Sequence, residues 1–136
     1  MLDRRVLAVS AMLLAAPALA APKVPKEECP TLNMMEIEEL LEKAPSCDRA
    51  LALFQICAFG ASGDTGLGNA VQEKCEGDFL AKLNNAERKT YDGKIKRCGD
   101  KYAKKEGSMY ISFAAFCRAE TAQQYSRKAI KPGAPR

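Results

Sequence analysis

Two cysteines on one predicted helix restrict the fold of this chain more than any other feature. Cys47 and Cys57 lie in the stretch SCDRALALFQICAF, residues 46–59, which has the composition of a helix. Ten positions on an α-helix place them about 15 Å apart along the axis and about 80° apart around it. A disulfide needs Cα atoms within roughly 7 Å. The two cysteines therefore cannot bond each other, and each must reach a different neighbouring segment.

The first twenty residues have the pattern of a secretory signal peptide. Arg4-Arg5 precede an apolar run over residues 6–16, and Ala-Leu-Ala at 18–20 is a cleavage site of the expected kind. The apolar run is shorter than the roughly 20 residues that span a bilayer. We expect cleavage after Ala20, a periplasmic or secreted location, and no stable membrane insertion.

Cleavage leaves 116 of the 136 residues, enough for one domain, and lowers the formal charge from +4 to +3 because Asp3, Arg4 and Arg5 are removed. This surplus is too small for a dedicated nucleic-acid binder. All six cysteines remain, and an even number in an exported chain favours disulfides. The predicted organisation is an extended lead-in over 21–30, a disulfide-bonded helical domain over 31–128 and a disordered tail over 129–136.

Residue types that are missing from the sequence exclude several chemistries. The chain has no histidine, which excludes Ser-His-Asp and Cys-His catalysis, His-ligated zinc and the Cys-x-x-Cys-His haem motif. It also has no Cys-x-x-Cys pair, the usual redox and structural-zinc spacing. We expect no enzyme activity, no metal and no cofactor.

Hydrophobic periodicity predicts an all-α protein, a small bundle of about five short helices cross-linked by three disulfides. The first helix opens at Asn33, with Glu36 closing a capping box, and stops before Pro45. The second runs from an N-cap at Ser46 to Phe59 and ends in a left-handed cap at Gly60.

The remaining three helices follow the glycine-rich loop GASGDTGLG at residues 60–68. The third helix starts at Asp64 or Thr65, a capping box of Asn84 and Glu87 opens the fourth, and Gly107-Ser108 caps the fifth. Their predicted core-facing stripes are Leu67, Val71, Cys75 and Phe79; Tyr91, Ile95, Cys98 and Tyr102; and Tyr110, Phe113, Ala114, Cys117, Thr121 and Tyr125.

Hairpin geometry selects one of the 15 possible cysteine pairings. Residues equidistant from a turn face each other across two antiparallel helices. Applying this rule to the turns near Gly107, Gly63 and Pro45 gives three bonds. They are Cys29–Cys57, Cys47–Cys75 and Cys98–Cys117.

Residues of about 83–125 carry a family resemblance. They include Asn-Ala-Glu-Arg at 85–88, Cys98, Gly-Ser-Met-Tyr at 107–110, and Cys117 followed by Thr121. This third of the chain resembles the N-terminal domain of the LprI-type lysozyme-inhibitor family of small exported helical proteins. The resemblance implies a non-enzymatic binding protein of the bacterial envelope, with a protein partner such as a lysozyme.

An inhibitor of a cationic enzyme is expected to present carboxylates to it. The candidates are on the first helix and the glycine-rich loop: Glu36, Glu38, Glu39, Glu42 and Asp64. The alternative interpretation of the four glutamates is a solvated helix face. The pair Glu36 and Glu39 has the residue types of acid–base catalysis, but such pairs are ordinary on a charged helix and do not predict an enzyme.

A basic stripe on the fourth helix supports a different class of function. It consists of Lys94, Arg97, Lys101 and Lys104 or Lys105, with Arg118 and Arg127 on the fifth helix. An envelope scaffold or interaction module would use such a face to meet anionic lipid or glycan. The alternative is a solvated face in which Asp92 pairs with Lys96 and Asp100 with Lys104.

Overall fold

The structure is a computed structural model that describes residues 27–130. The predicted signal peptide, residues 21–26 of the lead-in and residues 131–136 of the tail lie outside the described range. The helices are α1, Met34–Glu42; α2, Cys47–Cys57; α3, Asp64–Glu76; α4, Asn85–Tyr102; and α5, Ser108–Ala129. A 3₁₀ helix, Leu80–Lys82, precedes α4. The described range contains no strand, so the predicted all-α class is confirmed.

Polar caps start three of the helices as predicted. Ser46 accepts the Arg49 N–H, and Asn84 and Glu87 form the reciprocal capping box of α4. Asn33 caps α1 by accepting the N–H groups of Met35 and Glu36. The capping box predicted for α1 is wrong, because Thr31 replaces one half of it. The Asn33 N–H donates to the Thr31 hydroxyl, which in turn donates to the Glu36 carboxylate over 2.6 Å.

The second helix ends earlier than predicted. α2 stops at Cys57 and Ala58 is already extended, so Phe59 lies outside the helix. Gly60 has a φ of 71° but lies in the loop and does not close the helix. The cause is Asp64, whose carboxylate accepts the backbone N–H groups of Phe59 and Gly60. The chain therefore turns toward Asp64 before another helical turn forms.

Three disulfides connect the elements. Cys29–Cys57 ties the lead-in to the end of α2, Cys47–Cys75 ties the start of α2 to the end of α3, and Cys98–Cys117 joins α4 to α5. Their Cα–Cα distances are 5.0, 4.6 and 5.5 Å. These are the three pairs that the hairpin geometry predicts.

The helices alternate in direction, yet the most extensive contact joins two that are not neighbours in sequence. α3 and α5 run parallel, because Ser112 contacts Asp64 near the start of both helices and Ser126 contacts Asp78 near their far ends. The disulfide Cys98–Cys117 fixes α4 antiparallel to α5. α4 thus returns the chain so that α5 can pack along α3.

The buried face of α5 differs from the predicted aromatic stripe. Phe113 is 42% exposed, and Tyr110, Cys117, Thr121 and Tyr125 are only partly buried; Ala114 alone of that stripe is buried. The face against the core consists of small residues: Ser112, Ala115, Ala119, Ala122 and Ser126. Small side chains allow the α3 and α5 backbones to approach closely. A Cβ at Gly68 of α3 would lie 2.8 Å from the Ala115 Cβ.

Candidate binding surfaces

Asp64, predicted as a possible contact on the glycine-rich loop, is fully buried. Its carboxylate accepts the N–H groups of Phe59, Gly60 and Ala61 at 2.8, 2.8 and 3.3 Å, and the Ser112 hydroxyl donates to it over 2.6 Å. Both carboxylate oxygens thus accept hydrogen bonds inside the protein, one at Oδ1 and three at Oδ2. Asp64 holds the loop against α5 and is withdrawn from the binding candidates.

The four glutamates of α1 lie at the surface, and the side chains of two of them have partners. The Lys43 ammonium pairs with Glu39, and this hydrogen bond holds the pKa of the Glu39 carboxyl below its usual value. Glu36 is engaged by Thr31. Glu38 and Glu42 form no ion pair within residues 27–130. Glu38 and Glu42 are the carboxylates most available to a cationic partner, and Glu36 with Glu39 remains a surface pair.

The basic stripe of α4 is present on the surface. Arg97, Lys101, Lys104 and Lys105 are exposed, and Lys94 is partly buried. Arg118 and Arg127 point elsewhere. Arg118 contacts Asn69 of α3, and its burial lowers the pKa of the guanidinium. Arg127 pairs with Asp48 of α2 over 2.8 Å. The basic face is therefore confined to α4 and the turn after it, which carries Lys104 and Lys105.

The ion pairs on α4 are shifted from those predicted. Arg88 pairs with Asp92 and Lys96 with Asp100, over 3.1 and 2.6 Å. Both carboxylates bond the basic residue four positions before them, so Lys104 is left outside any ion pair in the described part of the chain. The predicted pairs Asp92–Lys96 and Asp100–Lys104 are wrong in register. The lysines and arginine of the stripe keep their charge uncompensated.

A concave apolar surface that the sequence did not predict lies between the start of α4 and the end of α5. We call it the α4–α5 groove, and its cavity volume is about 440 Å³. Its apolar lining comes from the turn after α3, the start of α4 and the end of α5: Phe79, Leu83, Ala86, Tyr125 and Ala129. Pockets for drug-sized ligands hold about 300 to 1,000 Å³. The groove is within that range.

An aromatic cluster fixes the base of the groove. The rings of Phe79, Tyr91 and Tyr125 contact one another, with centroids 4.9 to 5.4 Å apart. Phe79 and Tyr91 are only 2% and 1% exposed. Burial, together with the hydrogen bond that the Tyr91 hydroxyl donates to Glu76 over 2.7 Å, raises the pKa of Tyr91 well above its usual range. The base of the groove is continuous with the core.

Lysines form the polar edge of this groove. Lys82 and Lys128 line it, and Lys94 lies beside it, 4.9 Å from the Tyr125 ring centroid. The Lys128 ammonium is 5.7 Å from the same centroid. Cations contact aromatic faces favourably at such distances. Lys94 belongs also to the basic stripe, so the stripe and the groove meet.

Sequence reasoning missed the groove for a topological reason. Phe79 and Tyr125 were predicted as core-facing positions, but they lie far apart in sequence and come together only because α4 reverses direction. Lys82 and Lys128 belong to no recognised sequence motif. The groove could have been predicted from the antiparallel pairing through Cys98 and Cys117, which brings the start of α4 beside the end of α5.

The described residues, 27–130, hold no group of three or more cysteine, aspartate and glutamate side chains arranged to hold a metal ion. None of the helices in this range combines the length and the apolar character needed to cross a bilayer.

Comparison with known proteins does not extend these observations. No family model, no curated protein and no solved structure matches this chain. The resemblance of residues 83–125 to the LprI-type family thus stays a prediction from the residues that carry it.

Proposed function

We propose that this protein is an exported, non-enzymatic binding protein that holds a small apolar ligand in the α4–α5 groove. The observation that carries the proposal is the groove itself, a concave apolar surface open to solvent at the edge of a disulfide-linked bundle. Three disulfides favour an oxidising compartment. The signal peptide predicted over residues 1–20 is consistent with that compartment.

The surroundings of the groove support binding by a preformed site. The Ser126 hydroxyl donates to Asp78, which holds the end of α5 against the turn that carries Phe79. Cys98–Cys117 fixes the other end of the α4–α5 pair. Because both walls are held, little conformational entropy is lost when a ligand enters.

Binding of a neutral apolar probe, N-phenyl-1-naphthylamine, to the oxidised protein tests this proposal. We expect saturable fluorescence enhancement that Ala86→Trp abolishes, because the new ring fills the groove from an exposed position on α4. Ala103→Trp, the same change at an exposed position beyond the far end of α4, is the control. Absence of saturable binding, or equal binding to both variants, contradicts the proposal.

A lysozyme-binding protein is the second candidate, favoured by the acidic surface of α1. Four glutamates within seven residues are offset by one ion pair, Lys43 with Glu39. Capture of lysozymes by the oxidised protein, with a lytic assay beside it, tests this function. Glu38→Lys with Glu42→Lys should abolish capture, and Glu73→Lys on α3 should not. Capture without loss of lysis would support binding and remove inhibition.

An envelope scaffold is an alternative function, which the basic face of α4 and of the turn after it supports. The exposed members of this face, Arg97, Lys101, Lys104 and Lys105, form no ion pair in the described chain. Attraction of exposed lysines to an anionic surface weakens with salt over a Debye length of about 10 Å at 0.1 M. Salt-sensitive binding to anionic liposomes supports this alternative, and absence of binding at low ionic strength removes it.

A further inference from the structure

We infer that the α4–α5 groove binds a fatty acid, with its acyl chain on the apolar lining and its carboxylate among Lys82, Lys94 and Lys128. This inference rests on the proposed function, because it names the ligand class of the same groove. The first observation behind it is charge. None of the three ammonium groups forms an ion pair with a carboxylate within residues 27–130.

The present partners of the three lysines are neutral. The Lys82 ammonium donates to the Asp78 backbone carbonyl over 2.8 Å, and Lys94 and Lys128 contact the Tyr125 ring. An anion at this edge would gain charge-assisted hydrogen bonds, which are about twice as strong as neutral ones. It would displace no existing ion pair. The edge of the groove is therefore complementary to a single negative group.

The one carboxylate that lines the groove does not offset these lysines. Glu87 accepts the Asn84 N–H over 2.9 Å within the capping box of α4. Its charge is thus directed at the helix N-terminus, where a negative group is favourable. The net character of the edge stays cationic.

The rest of the lining favours a hydrocarbon chain over a peptide. Apart from Glu87 and the lysines, the lining holds two hydroxyl groups: that of Thr90, which donates to the Ala86 carbonyl over 3.0 Å, and that of Tyr125. A bound peptide would bring backbone N–H and C=O groups that need partners, and burying them unpaired is costly. An acyl chain makes no such demand. The volume of about 440 Å³ also fits one chain better than a two-chain lipid or a helix.

Displacement of N-phenyl-1-naphthylamine from the oxidised protein tests the inference. Dodecanoate and dodecan-1-ol share a chain and differ in charge. We expect dodecanoate to displace the probe at a concentration at least about tenfold lower than the alcohol. Decanoate should be about tenfold weaker than dodecanoate, because two methylenes fewer are buried.

Charge reversal assigns the preference to the edge of the groove. Lys82→Glu with Lys128→Glu should remove the preference for dodecanoate, so that the acid no longer displaces the probe at a lower concentration than the alcohol. Lys104→Glu with Lys105→Glu, at exposed positions beyond the far end of α4, should keep it. Equal displacement by acid and alcohol in the unmodified protein would overturn the inference while leaving the proposed function intact.

Two other results would overturn the inference in different ways. If the probe does not bind the full chain but binds a variant lacking residues 131–136, the groove is occupied by the chain's own C-terminal residues. If the probe binds neither form, the proposed function fails as well. Probe binding with carboxylate preference in the full chain supports both.

Discussion

Asp64 shows how one residue decides the conformation of a loop. Its buried carboxylate accepts the N–H groups of three successive residues, 59–61, and the hydroxyl of Ser112. Sequence reasoning identified Asp64 as a helix start, which the structure confirms, since α3 begins there. Its binding to Ser112, 48 positions away, depends on tertiary packing and could not be predicted from local pattern.

The substitution Asp64→Asn should destabilise the protein by about 2 to 4 kcal/mol. Both carboxylate oxygens accept hydrogen bonds from backbone N–H groups, and an amide offers only one acceptor, so its NH₂ group would face at least one backbone N–H. The midpoint of urea unfolding measures the loss. Asp100→Asn, the same change in an exposed ion pair of α4, should cost less than about 1 kcal/mol. Equal effects would contradict the anchoring role of Asp64.

Tyr91 gives the protein a specific sensitivity to alkali. Burial, and then the hydrogen bond to Glu76, raises its pKa, so the folded state keeps the proton when the unfolded state loses it near pH 10. The unfolded state then binds fewer protons than the folded state. The stabilising contribution of Tyr91 to the free energy of unfolding is complete below about pH 10 and is lost as pH rises above that value.

We therefore expect the free energy of unfolding to fall above about pH 10, with a slope of up to about 1.4 kcal/mol per pH unit from this residue. Denaturant unfolding measured across that range checks it. Tyr91→Phe should remove this part of the slope, and Tyr102→Phe, at a half-buried position, should retain it. An unchanged slope in Tyr91→Phe would show that the residue ionises alike in both states.

At the scale of helices, the α3–α5 contact organises the bundle. Two hydrogen bonds, Asp64–Ser112 and Asp78–Ser126, connect the two segments. The two aspartates are fourteen residues apart, and so are the two serines. Between them, Ala115, Ala119 and Ala122 are fully buried. The spacing of Ser112, Ala115, Ala119, Ala122 and Ser126 is a heptad-type seam of small residues. The sequence contains this spacing of small residues, but the prediction placed the larger aromatic residues of the neighbouring face against the core.

The substitution Gly68→Ala should destabilise the protein by about 1 to 3 kcal/mol. The added Cβ would lie 2.8 Å from the Ala115 Cβ and 3.0 Å from its carbonyl oxygen, so the helices must separate. Gly99→Ala in α4 is the matched control, because nothing lies within 4 Å of its added Cβ. We expect that control to stabilise by about 0.5 to 1 kcal/mol. Thermal unfolding that shifts in the same direction for both variants would contradict the close contact.

Helix starts were predictable and helix ends less so. Ser46, Asn33 and Asn84 cap through local hydrogen bonds that depend only on nearby sequence. The end of α2 at Cys57 depends on the position of Asp64, which follows the loop. The helix starts could therefore be predicted from the neighbouring residues, whereas the end of α2 depends on a tertiary contact.

At the scale of the whole molecule, the disulfides carry much of the stability. They join residues 28, 28 and 19 positions apart, which corresponds to about 3 to 4 kcal/mol each in the chain-entropy model. The pairing was predictable because antiparallel neighbours restrict which cysteines meet. The parallel α3–α5 contact and the groove were not, since they follow from the packing of helices that are distant in sequence.

We expect the fully reduced chain to be unfolded at room temperature. The combined loss is comparable to the total stability of a typical domain, about 5 to 15 kcal/mol. Circular dichroism with and without a thiol reductant checks this, and non-reducing peptide mapping identifies the three bonds. A reduced chain that keeps its helix content and a cooperative unfolding transition would contradict the expected dependence on the disulfides.

We propose above all that the α4–α5 groove is the ligand-binding site of this protein. Chemical-shift mapping by NMR, with dodecanoate titrated into the oxidised protein, tests it most directly. We expect saturable shifts at four residues that line the groove, with little change along α1 and α2: Leu83, Ala86, Tyr125 and Ala129. Saturable shifts centred on the glutamates of α1, or no saturable shifts at all, would contradict it.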